Sequence, residues 1–113
     1  MQPYCEVNLN ADNGSCYLEF CYGEQDRGKK FKLSESLFVM DNAFWCLSIN
    51  PVFCKAVPGF DMFEDTLITE SQWKDIFFLS DRLDKESRAV IDEINNWTKK
   101  AFQHSDVFTV LGV

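Results

Sequence analysis

The sequence predicts an α+β fold, a small antiparallel or mixed sheet made of an N-terminal hairpin plus a C-terminal strand, packed against about three to four helices. Three observations carry this. Apolar and polar residues alternate with a period of two over residues 4–9 and 15–22. Apolar residues then recur at helical spacing in several stretches between 35 and 101. The chain ends in a short apolar run, Val107 to Val113.

Each element has its own signal. In the first segment Cys5, Val7 and Leu9 fall on one face, with Glu6 and Asn8 on the other, the pattern of a half-buried strand. Asp12-Asn13-Gly14 is turn chemistry, because Asn and Gly tolerate positive φ. Cys16, Leu18, Phe20 and Tyr22 alternate against Tyr17, Glu19 and Cys21, which completes an expected hairpin. Phe31 to Leu33 reads as a short strand after a polar loop. Leu37, Met40, Phe44 and Leu47 recur at helical spacing and predict a helix within 35–49. Asn50-Pro51 predicts a second helical piece over 51–56, with Asn as cap and Pro at the first position. Val57-Pro58-Gly59 ends it.

Thr69-Glu70-Ser71-Gln72 is a capping box, and Trp73, Ile76 and Phe77 follow on one face, so a helix is expected over 70–80. Asp84 is placed to cap a last helix with Val90, Ile94, Trp97 and Ala101 as its apolar stripe. Its polar face carries Asp92 and Glu93, and Lys99 and Lys100 near the end suit the helix dipole. The final run is apolar on both faces, which predicts an internal strand.

The chain of 113 residues is 46% hydrophobic and contains eleven Phe, enough for a packed core without a metal or disulfide staple. No linker, repeat or low-complexity tract divides it, so residues 1–113 are expected to form a single domain. No apolar run approaches the ~18 residues of a membrane span. The first residues lack the basic and apolar regions of a secretory signal, and the five cysteines are odd in number with no CxxC pair. A cytoplasmic location with reduced thiols is therefore expected.

The net charge of −7 is unevenly placed. Residues 1–26 hold five acids and no base, whereas Arg27, Lys29, Lys30 and Lys32 form a basic cluster. Residues 33–73 hold six acids against Lys55 alone, and residues 74–100 balance. Such a surface repels a phosphate backbone and attracts a basic protein, so neither direct nucleic-acid binding nor membrane binding is expected. The basic cluster reads as a solvated loop.

The usual catalytic signatures are missing from the sequence. The only histidine, His104, lies at the end of the last predicted helix, and no local motif places a thiol beside it. Scattered Cys with one His do not match a transition-metal site, and Asp61, Glu64 and Asp65 lack the calcium-loop pattern. There is no phosphate-binding glycine loop and no GxSxG. No catalytic residue, metal or cofactor is assigned, and the chain is read as not an enzyme.

Residues 60–70 differ from the rest. Asp61, Glu64, Asp65 and Glu70 are interspersed with Phe60 and Phe63, with no base among them. Such a loop is either anchored in the core by both Phe rings or is an epitope. In the second case the acids steer a basic partner and an aromatic residue provides a desolvated anchor. Asp61, Phe63, Glu64, Asp65 and Glu70 are the candidate partner-binding residues.

The order Asp41-Asn42-Ala43-Phe44-Trp45-Cys46-Leu47, then Asn50-Pro51, Pro58-Gly59-Phe60-Asp61 and Ile68-Thr69-Glu70-Ser71-Gln72-Trp73 carries a resemblance. With the long amphipathic helix and Phe108-Thr109-Val110-Leu111-Gly112-Val113, it resembles small immunity proteins of bacterial polymorphic-toxin systems, especially those of contact-dependent growth inhibition. The resemblance covers roughly residues 41–113. It implies a non-enzymatic cytoplasmic antitoxin that binds a cognate toxin C-terminal domain, often a basic nuclease, and occludes its active site. It assigns no individual contact residue. Two other classes remain open on the residues alone, a general interaction adaptor and a small enzyme or ligand-binding domain.

All five cysteines are expected to be reduced thiols. Alkylation under denaturing, non-reducing conditions should add five labels by mass, and four or fewer would contradict the reduced state.

Overall fold

In the computed structural model, which describes residues 5–7, 17–24 and 36–112, the chain builds a five-stranded antiparallel sheet and four α-helices. The strands are β1 (Cys5–Val7), β2 (Tyr17–Tyr22), β3 (Leu37–Met40), β4 (Thr66–Thr69) and β5 (Val107–Leu111). The helices are α1 (Asp41–Cys46), α2 (Ile49–Ala56), α3 (Glu70–Leu79) and α4 (Lys85–His104), with a 3₁₀ turn, Ser80–Arg82, between the last two. The fold class is α+β, as the periodicities predict.

The sheet order is β1-β3-β2-β5-β4. Register assigns the two faces. Phe20 lies opposite Val110 and Leu37, Val110 lies opposite Thr66, and Leu18 lies opposite Val39. Leu18, Phe20, Leu37, Val39, Ile68, Phe108 and Val110 join one buried cluster with Phe44, Phe53, Trp73, Ile76, Val90, Ile94 and Trp97, so every helix packs on this face. The opposite face holds Glu19, Cys21, Phe38, Thr109 and Leu111, which are also buried. There the Ser36 hydroxyl donates to Glu19 Oε2 at 2.7 Å, giving a buried carboxylate a strong donor.

The expected N-terminal hairpin is corrected. Its two strands exist, but β3 lies between them and pairs antiparallel with both. Alternation specifies which face a strand buries, not which strand lies beside it. β3 is apolar at all four positions and buried on both faces, which suits the interior of a sheet. The Asp12-Asn13-Gly14 turn and the strand expected over Phe31 to Leu33 lie outside the described residues.

The helix expected within 35–49 is also corrected. Residues 37–40 are strand β3, and the helical part is only α1. The helical reading used Leu37 and Met40 and left Phe38 and Val39 off the stripe, yet Phe38 and Val39 are buried. Four consecutive apolar residues satisfy either period, and pairing with two neighbouring strands decides for β. α2 begins at Ile49, two residues before the expected start, so Asn50 lies inside the helix and Ser48, not Asn50, holds the cap position; Pro51 sits inside the first turn, where a missing N–H costs no helical bond. β4 was not expected. It is only four residues long, and its Thr-Leu-Ile-Thr sequence runs straight into the capping box.

The remaining elements follow their signals. Thr69 Oγ1 accepts from the Gln72 amide at 3.1 Å, and the Thr69 amide donates to Gln72 Oε1 at 2.9 Å. Asp84 caps α4 by accepting from the Ser87 amide at 3.0 Å and the Ser87 hydroxyl at 2.7 Å. These bonds from Ser87 hold the exposed Asp84 carboxyl below its ordinary pKa. Ser87 Oγ in turn accepts from the Ser48 amide at 3.0 Å, which ties the start of α4 to the junction of α1 and α2. β5 is internal, between β2 and β4, as its two apolar faces predict.

Trp97 is 7% exposed and packs edge-on against Phe20 and Phe108, with centroids 6.0 and 5.4 Å away. Trp97→Ala is expected to cost about 3–5 kcal/mol. A chemical denaturation midpoint equal to that of the wild type would place this ring outside the core.

Candidate functional site

The loop between α2 and β4 carries most of the candidate residues. Gly59, at φ 85°, makes the bend in a backbone region that other residues avoid, and the Phe60 amide donates to the Val57 carbonyl at 3.0 Å. Side chains then alternate. Phe60 and Met62 are buried, and the Phe60 ring lies 5.1 Å from Phe53 and stacks on Phe44 at 6.0 Å. Asp61, Phe63 and Glu64 are exposed. The two alternatives for this loop are thus divided between its two Phe rings: Phe60 anchors it and Phe63 projects from it.

Two further bonds shape the projecting part. Asp61 Oδ1 accepts from the Phe63 amide at 2.9 Å, and the Glu64 amide donates to the Asp61 carbonyl at 3.0 Å. This places the Asp61 carboxylate beside the Phe63 backbone. Asp65 Oδ1 accepts from the Gly112 amide at 3.3 Å, which links the loop to the end of β5. Gly112 is held there by proximity. A Cβ on it would lie 2.4 Å from the Glu64 nitrogen and 2.5 Å from the Phe63 carbonyl carbon, so only glycine admits the loop so closely.

Phe63 does not stand alone. It is 51% exposed and pairs with Trp45 of α1, which is 61% exposed, with centroids 5.7 Å apart and planes tilted by 49°. Trp45 was missed as a candidate residue. The available signal was its position in α1: Ala43 and Phe44 face the core, so the next residue turns outward. Asp41 lies four residues earlier and so shares the helix face of Trp45. Among the described residues the ion pairs are those of Arg88 with Asp81 and Asp92, and none engages Asp41, Asp61 or Glu64. The result is an aromatic ridge flanked by three carboxylates.

The structure does not bring Glu70 to this ridge. Glu70 opens α3 at the far end of β4, whose four residues span roughly 13 Å. There it borders a shallow depression with Thr69, Ser71 and Lys74. Asp65 also differs from its neighbours, since it binds within the protein. Of the expected residues, Asp61, Phe63 and Glu64 are presented together.

Among the described residues the groups relevant to catalysis are dispersed. Cys21 is buried, and desolvation pushes its thiol up to about 12, which keeps it protonated near neutral pH. It faces the side of β2 opposite to Tyr22, and His104 stacks on Tyr22 at 4.8 Å, so the sheet separates this thiol from the imidazole. Cys54 is exposed on α2 and lies 3.7 Å from the Phe60 carbonyl oxygen. Among the described residues no group of three or more His, Cys, Asp or Glu is arranged to hold a metal ion, and no helix is long and apolar enough to cross a membrane. Comparison with protein-family models, with curated proteins and with solved structures gave no match to this chain.

Gly112→Ala should push the 63–64 backbone off the end of β5. It is expected to lower stability by about 1–3 kcal/mol. Hydrogen exchange of the Glu64 amide should accelerate at least about tenfold under native conditions, the scale of 1.4 kcal/mol of local opening. Unchanged exchange at that amide would show that the loop does not depend on this contact.

Proposed function

We propose that this chain is an immunity-type inhibitor, a cytoplasmic protein that binds the C-terminal toxin domain of a secreted polymorphic toxin and blocks its active site. The observation that carries this reading is the solvent-exposed Trp45–Phe63 pair flanked by Asp41, Asp61 and Glu64. Large aromatic rings left in water favour a partner that covers them, and Trp is enriched among the residues that dominate binding energy. These carboxylates, which form no ion pair among the described residues, select the charge of that partner. A nuclease needs a positive cleft for the phosphate backbone, and an acidic ridge seated in it would occupy the positions that phosphates need.

Size is compatible with this role. A standard interface buries about 800 Å² on each partner, and the whole accessible surface here is 6490 Å². The ridge would form the centre of such a patch. The fold also provides rigidity: Phe60, Met62 and Gly112 hold the loop before any partner arrives, which lowers the entropy cost of binding.

The test captures the binding partner of this chain from the source cell, then assays the purified partner for nuclease activity with and without this chain. Stoichiometric inhibition is expected. Trp45→Ala with Phe63→Ala should raise Kd at least about tenfold, mainly through faster dissociation. Asp61→Lys with Glu64→Lys should slow association, most strongly at low salt. Tight binding without inhibition would favour a general adaptor, and absence of binding would overturn the inhibitor reading.

A further inference from the structure

We propose that the Trp45–Phe63 ridge is a receptor for an arginine side chain of the partner. This rests on the inhibitor reading for its setting, and its chemistry is tested without any toxin. The rings stand 5.7 Å apart at 49°, closer than the roughly 7 Å needed to hold a flat group between them. A guest therefore lies on their outer faces. Three acids accompany the rings: Asp41 shares the helix face of Trp45, Asp61 precedes Phe63 by two residues and Glu64 follows it.

Asp61 uses Oδ1 for the Phe63 amide and keeps Oδ2 for a further donor. A guest must thus cover apolar ring surface and present several N–H donors at its edge. Guanidinium does both. It is planar and weakly hydrated, it stacks on aromatic faces, and its five N–H groups reach carboxylates in the ring plane. An ammonium is a compact, strongly hydrated charge that satisfies one carboxylate and leaves the rings in water. The same combination occurs elsewhere on this protein's surface, where the Arg88 guanidinium lies 5.2 Å from the Phe77 ring centroid while pairing with Asp81 and Asp92.

The experiment titrates the full ¹⁵N-labelled chain with N-acetyl-arginine amide and with the matching lysine and citrulline derivatives. It follows the Trp45 indole N–H and the Phe63 and Glu64 amides. Arginine should shift these signals saturably, with a dissociation constant at least about threefold below that of lysine, and citrulline should shift them little. Trp45→Ala and Glu64→Gln should each weaken arginine at least about threefold with the denaturation midpoint retained. Equal affinity for arginine and lysine would overturn the proposal, as would citrulline binding as tightly as arginine or shifts confined to other residues. The two readings fail separately. An arginine-selective ridge with no toxin binding removes the inhibitor role alone, whereas ridge-dependent toxin binding with an unselective probe removes the arginine receptor alone.

Discussion

The pairing of β2 with β5, locked by aromatic rings, is the constraint on which the rest of the structure depends. Register sets Phe20 opposite Val110 and Tyr22 opposite Phe108, and the Phe20 and Phe108 rings stack at 5.8 Å. Trp97 meets both edge-on and tilts against Tyr22 at 5.5 Å, which fixes α4 across these two strands. Rings in this arrangement gain beyond their buried area because the positive edge of one meets the negative face of another. Phe53 and Trp73 extend the same cluster to α2 and α3. The long helix could not slide along the sheet without breaking several of these contacts at once.

The exposed ridge inherits its geometry from that core. β2 fixes the register of β5, which ends at Leu111, and Gly112 just beyond it is where the 63–64 backbone rests. Phe60 and Met62 enter the core from the same loop, so the residues between and after them must point outward. Trp45 is fixed by the inward packing of Phe44 on Phe53 and Phe60. The aromatic pair is therefore displayed by buried neighbours on both sides. Carboxylates around it add mutual repulsion and no internal compensation among the described residues, an arrangement that a cationic partner would relieve.

Legibility varied with the range of the interactions. The capping box at Thr69 and the Asp84 cap were readable because the donor and acceptor lie within three residues of each other. The α4 stripe and the internal character of β5 were readable from periodicity. β3 was misread because an apolar run carries no period of its own, and β4 was missed because four residues give too short a pattern. At the ridge, the acidic and aromatic content of residues 61–64 was visible. Its second ring was not, since Trp45 and Phe63 are eighteen positions apart in the sequence and meet only after α1 and the loop pack on common core residues.

The sequence by itself determined the α+β class, the Thr69 and Asp84 caps, the apolar stripe of α4 and the acidic, aromatic character of the loop, because each follows from residues close together along the chain. Only the tertiary structure decided which strand lies beside which, which Phe of the loop is buried, and which acids share a surface. Strand neighbours depend on competition among edges that all satisfy the same alternation, and β3 prevailed between β1 and β2 by being apolar on both faces. The surface depends on what β4 separates: Asp65 and Glu70 are close in sequence, and the extended strand between them carries Glu70 away from the ridge.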